Sequence, residues 1–286
     1  MTAEQHAPPL ERILETALEA ARGAGRILFQ GYDQPKSVRH KGEIDLVTQY
    51  DLASERYLVD QISTAFPGHA ILAEEGGQTG LESPFRWYID PLDGTTNYAH
   101  GFPVFCVSIA FEALTGSGPQ IQVGVVHDPL RNETYSSVKE QGTWLNGRRV
   151  FVSRQTQLDQ ALVATGFPYD IRRNPGRIFQ RFQRMCLSAQ GVRRAGSAAL
   201  DLASVAAGRL DGFWEEHLAP WDTAAGMLLV LEAGGKVTDF QAGTYRPQLK
   251  EIIATNGRLH YNMIKALNPE QPEGLDKAAI PWEVGE

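Results

Sequence analysis

Within Trp87-Tyr88-Ile89-Asp90-Pro91-Leu92-Asp93-Gly94-Thr95-Thr96-Asn97 an apolar run ends in an acid, and a second acid follows three residues later. A Gly-Thr-Thr-Asn stretch suited to opening a helix comes next. Strand, stiff turn at Pro91 and helix start are thereby fixed in one short segment, which constrains the fold more than any other. Two carboxylates at the mouth of a strand suit hard cations, because Mg²⁺ takes oxygen ligands and keeps positions open for phosphate. The backbone N–H groups at a helix start point at whatever anion sits there. Metal and phosphate sites are encoded side by side, and that points to phosphoryl chemistry.

At 286 residues the chain can bury a sizeable core, in one large domain or two small ones. A net charge of −7 argues against a nucleic-acid partner, which would call for a basic face. It also means that a phosphorylated substrate needs metal ions to offset repulsion. Cys106 and Cys186 lie far apart in apolar contexts and read as two buried thiols in a reducing compartment. No basic-then-apolar leader begins the sequence and no run is long enough to span a bilayer, so a cytoplasmic protein with no membrane partner is expected.

Apolar spacing predicts a helix over 10–31, a loop or hairpin over 38–47, and a second helix opening at Asp51 and stopped by Pro67-Gly68. Strands are expected over 70–74 and 86–90. A meander comes next over 105–114, 121–127 and 133–138, then an Asn146-Gly147 hairpin turn. The second half alternates, with helices near 177–189, 198–207, 221–233 and 258–267 among short strands. This order gives a layered α/β (α+β) fold. Residues after Asn268 are rich in Pro and acids and read as a loosely held tail over 269–286.

Acids recur at strand ends: Asp51, Glu74, Glu75, Asp90, Asp93, Glu215 and Asp222. A lone one is ordinarily just solvated. Several converging on one point would repel unless cations lay between them. Taken alone, Asp222 reads as a helix-start acid stabilised by the dipole. Gly196-Ser197-Ala198-Ala199 opens a helix and either cradles an anion or merely caps it. Lys41 reads as a surface residue, and Arg172 and Arg173 either meet an anionic substrate or form an exposed loop pair. His40, His100, His127 and His217 lack ligand-like spacing. Gly-x-Ser-x-Gly, Walker-type and dinucleotide-binding motifs are absent from the sequence.

The blocks Lys41-Gly42, Asp45-Leu46-Val47-Thr48, Asp51, Ile71-Leu72-Ala73-Glu74-Glu75, the 90–97 motif and Gly101-Phe102-Pro103 occur in that order. Arg194 through Leu202, Gly208 through Glu215 and Pro220-Trp221-Asp222 come after them. Together they resemble the inositol monophosphatase family of Mg²⁺-dependent, Li⁺-sensitive sugar phosphatases. The resemblance implies a single domain over 1–268, an α-β-α-β-α sandwich of the inositol monophosphatase / fructose-1,6-bisphosphatase type that assembles as a homodimer. It implies metal ligation by Glu74, Asp90, Asp93 and Asp222 and by the Leu92 carbonyl, with two or three Mg²⁺ ions and Mn²⁺ as a substitute. Asp51, Glu74 and Thr95 would be catalytic, with Thr95 contacting the attacking water and Asp51 orienting Thr95. Asp93, Gly94, Thr95, Thr96, Gly196, Ser197, Ala198, Glu215 and Asp222 would meet the substrate. Thr96-Asn97 favours a small polyol phosphate, with inositol 1-phosphate as the first expectation. A broader sugar phosphatase, including fructose-1,6-bisphosphatase activity, is the alternative, and a partner-binding protein on this fold is the third reading.

Overall fold

The computed structural model describes residues 8–80, 83–173 and 175–269, so the tail expected after Asn268 lies, but for its first residue, outside the described residues. Helix α1 (Leu10–Gly31) is followed by the antiparallel hairpin of β1 (Val38–His40) and β2 (Leu46–Thr48), and by α2 (Gln49–Ala65). Then come β3 (Ala70–Ala73), β4 (Gly77–Thr79), β5 (Phe85–Asp93) and the short α3 (Thr95–Ala99). The meander is β6 (Cys106–Thr115), β7 (Gly118–Asp128), β8 (Glu133–Val138), β9 (Thr143–Leu145) and β10 (Arg148–Val150). The second half comprises β11 (Leu162–Thr165), α4 (Gly176–Ser188), β12 (Gly191–Arg193), α5 (Ala198–Ala206) and β13 (Gly212–Glu216). It closes with α6 (Pro220–Glu232), β14 (Lys236–Thr238), β15 (Glu251–Thr255) and α7 (His260–Leu267).

An eight-stranded sheet runs in the order β10-β9-β8-β7-β6-β5-β3-β4, and a five-stranded one in the order β12-β11-β13-β15-β14. Three apolar clusters separate five layers. The first lies between α1, α2 and the large sheet, around Ile13, Leu28, Leu58, Trp87 and Phe111. The second surrounds α5 and α6 between the two sheets, and the third packs α4 and α7 on the outer face of the small sheet. Sequence explains each layer. The buried residues of α1, including Ile13, Ala17, Ala20, Ala24 and Leu28, recur at helical spacing and form one inward stripe. By contrast α6 buries every residue from Thr223 through Val230, because it is covered by a sheet on both sides. A helix apolar all round belongs in the middle of a stack. The layered α/β expectation therefore holds.

Two local expectations differ from the structure. The strand expected over 86–90 continues through Pro91 to Asp93. Only one of the two cysteines is buried: Cys106 lies in the core, whereas Cys186 is exposed. The inward face of α4 is set by Ile178, Arg181 and Met185, and position 186 falls off that stripe.

Candidate active site

Strands β3 and β5 are parallel, as are β11 with β12 and β11 with β13. The carboxyl ends of these five strands, and the turns that leave them, open on one cavity of about 400 Å³. Glu74 succeeds β3, Asp93 ends β5 and Gly94 follows it. Gly166 through Tyr169 lie just beyond β11, Arg194 through Ala198 just beyond β12, and Glu215 through Ala219 at and beyond the end of β13. Ligand sites at the carboxyl ends of parallel strands are a general property of α/β sheets. Here it gathers blocks as far apart in sequence as Lys41 and Asp222 around one space.

The pair Asp90 and Asp93 depends on an irregularity in β5. Residues three apart on a regular strand face opposite sides of the sheet. Asp90 pairs with Ser108 and Asp93 with Cys106, so the register slips by one residue between them. That bulge turns both acids toward the cavity, and it is where a proline, lacking an N–H, is tolerated in a central strand. Gly94 then takes a left-handed φ of 101° as the N-cap of α3.

Asp90 is buried, and its carboxylate accepts the Leu92 N–H at 3.0 Å. Asp93 Oδ2 accepts from Ser197 Oγ at 2.6 Å and from the Ala199 N–H at 2.7 Å, so the start of α5 is already aimed at this acid. Asp222 opens α6, where it accepts the Ala219 N–H at 2.7 Å. Glu74 accepts from Lys41 Nζ at 2.8 Å, and the same ammonium reaches Glu75 at 2.7 Å. Burial, and then the charges of Glu74, Asp93 and Asp222, hold Asp90 well above the usual carboxylate range. Asp222 is raised in the same way by burial, Asp93 and Glu74. Burial lifts Glu74 to about 7 against the pull of Lys41.

Asp51 is buried at the third position of α2. Its Oδ2 accepts from the Thr48 N–H at 2.8 Å, completing a capping box, while Oδ1 accepts from Thr95 Oγ1 at 2.8 Å. Thr95 Oγ1 also lies 3.0 Å from the Leu92 carbonyl. The hydroxyl has one hydrogen for two acceptors, and its lone pairs remain to receive another donor.

A hard divalent cation fits this donor set. Glu74, Asp90, Asp93, Asp222 and Leu92 all line the cavity and offer only oxygen. Among the described residues, Asp90, Asp93 and Asp222 have no ion-pair partner, so a positive charge is what this site lacks. Among the described residues no group of three or more acids, His or Cys is already placed to hold a metal ion. Mg²⁺ does not require such a group, since it binds through one or two carboxylates and completes its shell with water and phosphate.

At the far side Glu215 is buried beside Asp201, which sequence reading passed over. Burial and the neighbouring Asp201 push Glu215 well up, and Arg194 partly offsets this. Lys41, Tyr169, Arg194 and Asp201 line the cavity as well. For Lys41, Tyr169 and Arg194 the available signal was placement just after a strand; Asp201 lies inside α5 and had no such signal. Asn97 does not line it; its Nδ2 donates to the carbonyls of Val104 at 2.7 Å and Ala195 at 2.9 Å. It braces the 94–97 turn against the 195–196 turn.

Residues 9–271 match the profile of the inositol monophosphatase family. The chain is 44% identical over 260 residues to an inositol-1-monophosphatase of Synechocystis sp., covering 90% of this chain and 89% of the relative. It is 41% identical over 268 residues to Nus factor SuhB of Escherichia coli K12, covering 93% and 99%. The solved inositol monophosphatase of Anabaena (Nostoc) sp. PCC 7120 superimposes with a TM-score of 0.82 at 43% identity, covering 92% and 98%. The chain belongs to the inositol monophosphatase family and is a phosphatase built on that family's layered fold.

Proposed function

We propose that the protein hydrolyses the phosphate monoester of a small polyol, with inositol 1-phosphate as substrate, and that Mg²⁺ is its cofactor. The observation that carries this reading is one cavity holding Asp90, Asp93 and Asp222, none with an ion-pair partner among the described residues, next to the Asp51–Thr95 pair. Glu74, Asp90, Asp93, Asp222 and the Leu92 carbonyl would hold the ions, with Mn²⁺ as a substitute. When bound, such ions lower the pKa of a water and neutralise charge on the transferring phosphoryl group. Thr95 directs its hydrogen at Asp51 and presents a lone pair to that water, which fixes the line of attack. The N–H groups at the start of α3 lack intrahelical partners and face the phosphate with Gly94 and Thr96. Glu215 and the Gly196 and Ala198 backbone meet ring hydroxyls. Ser197 contributes indirectly, by holding Asp93. In the cell we place the protein in the cytoplasm as a homodimer, inhibited by Li⁺.

Phosphate release from inositol 1-phosphate and from fructose 1,6-bisphosphate, with and without Li⁺, tests the substrate. Faster turnover of the bisphosphate would sink this choice in favour of the broader sugar phosphatase. A partner-binding role is a second reading, motivated by relatives at 41% identity that bear the name Nus factor SuhB. Replacing the wild-type gene by an Asp93→Asn allele separates the two: a defect of gene loss that the inactive allele still rescues belongs to a partner.

The cavity's geometry has two consequences for binding. A Cβ on Gly166 would stand 2.0 Å from Glu215 Oε1, so Gly166→Ala must displace that carboxylate. Loss of one buried hydrogen bond predicts a KM for inositol 1-phosphate higher by about 10-fold. Turnover of p-nitrophenyl phosphate, which has no ring hydroxyls, should change little; an unchanged KM for the inositol ester would remove Glu215 from substrate binding. The second consequence is pH-dependent. Asp90, Asp222 and Glu74 have folded pKa values above their unfolded ones. Native protein then binds more protons than unfolded chain, and the metal-stripped form loses stability as pH rises from about 4 through the Glu74 value of about 7. Protons also compete with the cation, so half-saturating Mg²⁺ should rise as pH falls from about 8 to about 6. A Mg²⁺ midpoint independent of pH would contradict this.

A further inference from the structure

Helix α2 turns three polar side chains inward within its first two turns: Asp51, Ser54 and Glu55, all buried. They stand at i, i+3 and i+4, hence on one face. Further along, the same helix buries Leu58 and Ile62, the apolar contacts normal for a helix on a sheet. The polar part instead grips the strand ends of the active site. Asp51 accepts from Thr95. Ser54 Oγ donates to the Pro91 carbonyl at 2.8 Å, inside the bulge between Asp90 and Asp93. Glu55 Oε2 accepts the backbone N–H of Glu75 at 2.8 Å, and the carboxylate also takes the N–H of Gly76.

Glu74, Glu75 and Gly76 form the turn between β3 and β4. The antiparallel pairing of Ala73 with Gly77 closes that turn, but all three residues of β4 are exposed and bury no side chain, so side-chain packing does not hold it against the sheet. The Glu74 N–H is tied to the Ile89 carbonyl at 3.2 Å, and the next N–H is tied by Glu55. The backbone is thus pinned on both sides of the Glu74 Cα. Lys41 then holds the side chain, reaching Glu74 and Glu75 together. We propose that Glu55 is a positioning residue: by fixing the 74–76 turn it sets the Glu74 carboxylate at the cavity, and the site's hold on a divalent cation depends on it although it does not touch the ion. The inference rests on the reading of Glu74 as a cation ligand.

The test compares Glu55→Ala, Glu55→Met and Glu55→Gln with wild type, each stripped of metal and titrated with Mg²⁺. One readout is phosphate release; the other, free of activity, is the rise in Tm with added Mg²⁺. Removing the acceptor in the Ala and Met variants should raise the Mg²⁺ midpoint about 10-fold or more in both readouts, as loss of support behind a metal ligand does. Turnover at saturating Mg²⁺ should return to within about threefold of wild type, and Gln, which keeps one acceptor oxygen, should recover part of the affinity. A wild-type midpoint in a folded Ala or Met variant overturns the proposal, as does a turnover loss that Mg²⁺ does not restore. If Met and Ala both fail to fold, Glu55 is structural and the proposal is likewise overturned. A wild type with no Mg²⁺ response in either readout means instead that the cation-ligand reading has failed.

Discussion

Asp90→Asn is expected to abolish Mg²⁺-dependent phosphate release, by about 10³-fold or more, while raising the Tm of the metal-stripped protein by about 2–4 °C. Both effects have one cause. Asp90 is buried among Glu74, Asp93 and Asp222, and each of those charges raises the cost of ionising it. Such a cluster is poor for stability and useful only with cations between its members. Asparagine keeps the shape and the acceptor for the Leu92 N–H at 3.0 Å but removes the charge. Less repulsion stabilises the fold, and the loss of an anionic oxygen ligand removes function. Phosphate assays and melting curves on the same preparation measure both. Activity within tenfold of wild type would remove Asp90 from the cation site. A lower Tm would show that repulsion is not the dominant force there.

Asp51→Asn should lower kcat by about 10²-fold or more with little change in KM. Both carboxylate oxygens are in use: Oδ2 accepts from Thr48 and Oδ1 from Thr95. An amide offers one oxygen, so either the helix cap or the Thr95 link is lost. Losing the cap costs about 1 kcal/mol, and losing the link frees the Thr95 hydroxyl to turn toward the Leu92 carbonyl at 3.0 Å. Thr95→Ala should lower kcat by a similar factor while leaving the cap intact, and Thr95→Ser should retain most activity. Because Asp51 acts through Thr95, the double variant should be no slower than the slower single one. Losses that multiply in the double variant would show that Asp51 has an independent role.

Much of the arrangement was legible in local sequence, because strands, helix starts and turns are local events. The helix start near Asp51 and the Asn146-Gly147 hairpin were each visible within a few residues, whereas the turn expected at Pro91 is a bulge inside β5. A layered fold was legible from how those elements alternate, whereas the count of five layers came only with the family resemblance; the burial of α6 from Thr223 through Val230 shows it as the central layer. Long-range pairing was not legible. The bulge that brings Asp90 and Asp93 to one side is defined only against β6. The Lys41 contacts with Glu74 and Glu75 cross more than thirty positions, and a lysine in a Gly-containing loop looks like surface. Asp201 was hidden because an acid inside a small-residue helix resembles a solvated one; only the fold places it beside Glu215. Asn97, the substrate clue beside Thr96, turned out to brace two turns, a role that depends on the Ala195 carbonyl 98 positions away. Its amide bears on the substrate only through the geometry it maintains.

In the function proposed for it, this cavity cleaves a polyol phosphate only when a divalent cation compensates its carboxylates. The direct measurement is phosphate release from inositol 1-phosphate by metal-stripped protein as Mg²⁺ is added back. The expected result is no release with chelator and a saturable rise with Mg²⁺. Full release in the presence of chelator, or none at any Mg²⁺ concentration, would contradict it.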